Sequence, residues 1–170
     1  PKPGILVVHT FRGHTGFEVD KAFQLAKLGY VGFAVDMYGE GRSTTNPVEA
    51  SEWMNQLNAD RPLLLKRIRL ALETLKNHPQ VDKTKLGGIG FCFGGKCLLD
   101  LVRANSDIRG VVSFHGVYDK PPLENDSPIE SSVLILHGWD DPLGTPPQLV
   151  ELAKELSSRK SDWQILSFGN

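Results

Sequence analysis

Residues 85–96 read Lys85-Leu-Gly-Gly-Ile-Gly-Phe-Cys-Phe-Gly-Gly-Lys96, and the fold turns on how that stretch bends. A short apolar run meets a sharp turn on which Cys92 stands, with Gly90 and Gly94 two residues to either side. Beyond it, Leu98, Leu99, Leu101 and Val102 predict a buried helix. Strand, tight turn and helix is the setting of the nucleophile elbow G-x-S-x-G, here with sulfur in place of oxygen. A nucleophile on a strained turn leaves no room for side chains at plus or minus two, where strand and helix backbones nearly touch. The thiol would sit at a helix N-terminus, where the dipole and free N–H groups favour thiolate. The same residues also spell Gly88-x-Gly90-x-x-x-Gly94, a loose dinucleotide-binding fingerprint. That reading needs an acid at the end of the following strand to hold a ribose. The following strand ends Ser113-Phe114-His115, with no acid, so the elbow is preferred.

The 170 residues amount to one domain, long enough to bury a sizeable core. A net charge of −1, with both signs scattered, points to neither nucleic acid nor a membrane surface as a partner. No apolar run approaches the ~20 residues needed to span a bilayer. Cys92 and Cys97 lie five apart in one element and are poorly placed to pair, which predicts a reduced, cytoplasmic protein. Cys97 reads as a small core residue. The five histidines show no metal-ligand spacing, so neither metal nor cofactor is expected. Nothing in the residues fixes an oligomeric state. There is no signal-peptide pattern and no initiator Met; the chain opens on Pro1-Lys-Pro-Gly straight into a strand, which predicts further residues upstream.

Working outward, Ile5-Leu-Val-Val-His9 is an apolar run of strand length, followed by the turn-rich loop Thr10–Gly16. Val19, Ala22, Phe23 and Ala26 recur at helical spacing, predicting a helix over 17–28 closed by Gly29. A strand over 30–35 ends at Asp36, and 37–47 is loop by composition. Helices are predicted over 47–57 and 61–77. The second is capped by Asp60, has Pro62 in its first turn, and buries Leu64, Ile68, Ala71, Leu72 and Leu75. Its basic residues Lys66, Arg67, Arg69 and Lys76 read as a solvated face. After the elbow come strands 109–115 and 133–137. The capping box Thr145-x-x-Gln148 then opens a helix to about 157, and a strand over 163–168 follows. Alternating strands and helices predict an α/β chain with a mainly parallel sheet covered on both faces. Polar, glycine-rich loops follow strands 5–9, 85–91 and 133–137, all at carboxyl ends, the edge where such sheets bind ligands.

With these residues assembled, the chain resembles the dienelactone hydrolase family of α/β-hydrolases over essentially all of its length. The resemblance is carried by Val8-His9-Thr10-Phe11, Val35-Asp36-Met-Tyr-Gly39, Gly90-Phe-Cys-Phe-Gly-Gly95 and His137-Gly-Trp-Asp-Asp141. A cysteine in the elbow is characteristic of that family. The resemblance implies a three-layer α/β-hydrolase fold, cut short at both ends, and a hydrolase acting on a small ester or lactone. It implies Cys92 as nucleophile, with the backbone N–H groups of Phe93 and Phe11 as oxyanion hole. Asp141, in the turn Gly138-Trp-Asp-Asp141, becomes the triad acid, and Asp140 is the weaker candidate.

The third triad member is the difficulty. In this fold the order along the chain is nucleophile, acid, histidine, and no histidine follows Asp141. The family's histidine belongs after the final strand, where Gly169-Asn170 begins a loop, so it is expected beyond Asn170. His9, His115 and His137 also lie at strand ends and could substitute. They read more simply as structural, with His115 the best placed, beside the nucleophile's strand. The family's resting-state glutamate has Thr10 in its place here, and its carboxylate-gripping arginines have no clear counterpart beyond the loop residues Arg12 and Arg42. The specific substrate is therefore not implied. The competing function is a non-catalytic fold of this type that binds a small molecule or a protein partner. A thiol-redox role is disfavoured because Cys92 and Cys97 do not form C-x-x-C.

Overall fold

The computed structural model of the chain describes residues 1–122 and 125–169. In order, its elements are β1 (Lys2–Val8), α1 (Gly16–Lys27), β2 (Val31–Val35), α2 (Pro47–Ala59), α3 (Arg61–Lys76), β3 (Val81–Phe91), α4 (Phe93–Arg103), β4 (Gly110–Phe114), β5 (Ser132–Gly138), α5 (Pro146–Ser158) and β6 (Trp163–Phe168). The six strands form one sheet in the order β2-β1-β3-β4-β5-β6, every neighbouring pair parallel. Parallel pairing requires long crossovers, and the helices supply them. The chain leaves β1 toward one edge and returns to place β3 on β1's other side. The carboxyl ends of β1 and β3 therefore flank the topological switch point, where such sheets open a crevice.

Element starts follow local chemistry. Thr15 and Glu18 close a capping box on α1, Asn46 caps α2 and Asp60 caps α3. The expected stripe of α3, Leu64, Ile68, Ala71, Leu72 and Leu75, is buried in the main core, joined by Leu65. Cys97 is fully buried there too, as expected of a core residue.

Three expectations are corrected. The basic residues of α3 are not simply solvated: Arg67 donates to the carbonyls of Met37 and Tyr38, Arg69 to that of Ala104, and Lys76 pairs with Asp107. On α1, Phe23 is 65% exposed rather than inward. Burial of Glu18 by the capping box fixes the helix rotation, and Gly32 of β2 presses so close to Ala22 that a Cβ there would lie 2.6 Å from its carbonyl oxygen. Only a small side chain fits between. Coverage of the sheet is also uneven. The rung Phe91–Phe114–Leu136–Leu166, on α1's face by register alternation, stays partly exposed among the described residues. Phe17, Phe91 and Phe114 pack as an aromatic row along it.

Candidate active site

The elbow forms because nothing but glycine fits around it. A Cβ at Gly90 would lie 2.4 Å from the Gly94 carbonyl, and one at Gly94 would lie 2.2 Å from the Val8 carbonyl oxygen. Between them Cys92 takes φ 54° and ψ −112°, a conformation that L residues avoid and that persists only where neighbours enforce it. Its own N–H is held by the Phe114 carbonyl at 2.9 Å. Cys92 is 6% exposed.

Three groups act on that thiol besides its burial. The N–H groups of Phe93 and Phe11 favour the thiolate, and the charge of Asp141 opposes it. Burial is the largest influence and pushes the thiol up, so the net direction is above the ordinary cysteine value. The sequence argument that a helix N-terminus would favour thiolate is thus outweighed, because the sulfur is too far from water. Phe93 and Phe11 converge on it from the two sides of the switch point, α4 and the loop after β1.

The Phe11 peptide is held from behind. Tyr38 donates its hydroxyl to the Phe11 carbonyl at 2.9 Å, and burial pushes that phenol strongly up, so it stays a donor. Arg67 clamps the carbonyls of Met37 and Tyr38, while Asp36 accepts the N–H groups of Tyr38, Gly39 and Gly41. His9 is fully buried: its Nδ1 faces the Thr10 carbonyl at 2.5 Å and its Nε2 accepts the Met37 N–H at 3.0 Å. That fixes the proton on Nδ1 and makes His9 structural, as expected. Thr10 accepts the Arg12 N–H at 3.2 Å, a loop-closing role.

Asp141 follows β5 in a turn closed by its own N–H to the Gly138 carbonyl at 3.0 Å. One carboxylate oxygen accepts the Leu143 N–H at 2.9 Å; the other lies 3.6 Å from Nδ1 of His115. The side chain is 13% exposed, whereas Asp140 points to solvent. The arrangement therefore brings together Cys92, Phe93, Phe11 and Asp141, and leaves Asp140 out. His137 is buried with Nδ1 against the Tyr118 hydroxyl at 2.9 Å. His115 differs from both other strand-end histidines, its side chain being 53% exposed. Arg42 is spent on Glu40 at 2.8 Å, and Arg12 is exposed with no ion pair among the described residues. The loop position expected to lead to a catalytic histidine falls on Asn170, outside the described residues. No group of three or more His, Cys, Asp or Glu among the described residues is arranged to hold a metal. A cleft of about 560 Å3 lies between α5 and the loop after β4, lined by Tyr118, Asp119 and Glu151 among others, and does not take in Cys92.

Sequence reasoning missed Tyr38 and a partly buried ionic cluster behind the site. Arg61 forks onto Asp100 at 2.6 and 2.8 Å and reaches Asp119 at 2.5 Å. Lys96 pairs with Asp119 at 2.9 Å, and Arg103 with Glu155 at 2.8 Å. Arg103 also holds the Tyr118 carbonyl. Three cations meet three carboxylates, so the cluster is neutral and its buried charges are satisfied. The signal was available: Lys96, Asp100 and Arg103 recur at helical spacing inside an apolar helix, a pattern that demands partners.

A sequence profile described as the dienelactone hydrolase family matches residues 1–170. An uncharacterized protein of Caenorhabditis elegans is 40% identical over 119 residues, covering 66% of this chain and 73% of that protein. A Bradyrhizobium protein named "Probable 2-oxo-3-(5-oxofuran-2-ylidene)propanoate lactonase" is 27% identical over 96% of this chain and 69% of its own. Among solved structures, a dienelactone hydrolase-like promiscuous phosphotriesterase from metagenomic libraries superposes with a TM-score of 0.93. It is 34% identical, over 100% of this chain and 71% of that one. No described helix is long and apolar enough to cross a membrane.

Proposed function

We propose, on the premise that this chain belongs to the dienelactone hydrolase family, that it hydrolyses a small ester or lactone through Cys92. The observation that carries the reading is one strained cysteine acted on by two backbone N–H groups and by the mostly buried Asp141 carboxylate. The substrate carbonyl carbon bonds to Sγ of Cys92, and its oxygen, now negative, is met by the N–H groups of Phe93 and Phe11. Loss of one such donor typically costs about 3–4 kcal/mol of barrier. Because burial keeps the thiol protonated at rest, a base must take its proton as the bond forms. We assign that base to the histidine that the resemblance expects after β6; steered by Asp141, it takes this proton and returns it to the departing oxygen as the C–O bond breaks. Water then adds to the thioester, the C–S bond breaks, and the acid leaves with the thiol restored. Such a substrate is a small molecule, and both cysteines are free, as a cytoplasmic enzyme requires.

The test is turnover of a simple aryl ester and a simple lactone by the complete protein. Cys92→Ala is expected to lower kcat at least about a thousandfold, with a mass shift at Cys92 from trapped acyl-enzyme in the parent. Undiminished turnover by Cys92→Ala overturns the assignment.

A further inference from the structure

Among the described residues, His115 is the one of the three strand-end histidines whose ring makes no hydrogen bond. His9 uses both ring nitrogens and His137 is buried against Tyr118. The His115 ring is half exposed and makes no hydrogen bond among the described residues. Yet its backbone sits at φ +39°, in the region that favours glycine. A strained conformation of this kind survives only where the surroundings over-determine it.

They do so here from three directions. The His115 N–H donates to the Leu136 carbonyl at 2.8 Å, fastening it to β5. The preceding carbonyl, of Phe114, receives the Cys92 N–H at 2.9 Å, tying the same backbone to the elbow. Three residues on, Tyr118 and Asp119 are gripped by Arg103, Arg61 and Lys96, whose burial leaves that loop little freedom. The imidazole is thus carried on a rigid bend rather than a loose loop. It faces one specific atom: Nδ1 lies 3.6 Å from the Asp141 oxygen that the Leu143 N–H does not use. A ring movement of less than about 1 Å would close a charge-assisted hydrogen bond.

We propose that His115 is a positioning residue for Asp141, its Nδ1–H holding the second carboxylate oxygen in the plane the reaction needs. This rests on the reading of Cys92 and Asp141 given above. The Leu143 N–H alone leaves the carboxylate free to swing about one bond, and a second donor removes that freedom. Exposure of the ring to solvent is consistent with such a role, since the donor must adjust as substrate enters and leaves.

The experiment compares Cys92→Ala, His115→Gly and His115→Asn in the complete protein on an aryl ester, with thermal midpoints measured alongside. Glycine accepts the positive φ without strain, and asparagine both tolerates it and sets an amide N–H near the place of Nδ1. His115→Gly is expected to lower kcat about tenfold at unchanged KM, and His115→Asn to stay within about threefold of the parent. Equal losses in both variants, or a change carried by KM, overturn the proposal. So does a loss as complete as that of Cys92→Ala, which would make His115 the base. Full activity in Cys92→Ala instead removes the nucleophile reading itself, a result independent of how the His115 variants rank.

Discussion

Between β3 and α4 the chain turns in a space closed by main chain around Gly90 and Gly94, whereas just after β5 the turn that carries Asp141 is shaped by hydrogen bonds. The first turn places Cys92 by exclusion: Gly90 touches α4 and Gly94 touches the end of β1, backbone that cannot move without parting α4 from β3 and β1. The second places Asp141 by attraction, through the Gly138 carbonyl and the Leu143 N–H, and an added Cβ at Gly138 would meet nothing within 4 Å. In the proposed roles, a nucleophile at Cys92 must be fixed against a carbonyl to a fraction of an ångström, while an acid at Asp141 working through a base tolerates adjustment. The elbow should therefore fail as a fold when altered, and the acid turn as chemistry.

That contrast is broken most directly by a pair of glycine substitutions. Gly94→Ala is expected to destabilise by about 4 kcal/mol, and Gly138→Ala to stay within about 0.5 kcal/mol, read from urea midpoints. Comparable losses in the two would show that the elbow has slack the geometry denies. Next in size, Asp141→Asn should lower aryl-ester kcat roughly a thousandfold with a thermal midpoint close to the parent's, because the turn keeps its N–H bonds. A parallel loss of stability would mean that the carboxylate is structural after all. Smaller again is Tyr38→Phe, which frees the Phe11 carbonyl and lets the proposed oxyanion donor of that residue drift. About fivefold in kcat at unchanged KM is expected, the worth of one partly buried hydrogen bond.

The elbow was legible in sequence because its requirement is absolute. Two glycines around a cysteine, between an apolar run and an apolar helix, admit few other arrangements. Most elements of the sheet and the α3 stripe were legible for a related reason, since periodicity reports burial directly. What escaped was whatever depends on a neighbour far along the chain. Phe23 of α1 faces outward because Gly32, nine residues on, presses the helix at Ala22. Arg67 looked solvated because its acceptors belong to a loop 29 and 30 residues earlier. The cluster of Arg61, Asp100 and Asp119 spans 58 residues of sequence, and no local window contains it. The thiol's upward shift escaped for the same reason, as it is set by depth beneath neighbouring elements rather than by the helix that begins there.

The smallest expected effect concerns pH, and it sharpens the same comparison because one buried histidine stands behind each turn. His9 backs the Phe11 loop and His137 lies beneath the Asp141 turn. Burial lowers both from the ordinary value of 6.5, against a smaller raising influence of nearby carbonyl or carboxylate groups. The folded chain therefore prefers both rings neutral, while the unfolded chain protonates them near 6.5. Their stabilising contribution is complete above that pH and is lost as pH falls through the lower folded values. Urea midpoints taken stepwise from pH 7.5 to 5 should decline below about 6.5. His9→Asn and His137→Asn should each flatten part of that decline, in separate experiments on the two sides of the sheet. His9 has both nitrogens committed and must surrender the Met37 N–H on protonation, so its variant should remove the larger share. An equal or larger share from His137→Asn would place the acid turn, not the oxyanion loop, as the part of the active edge that acid disrupts first.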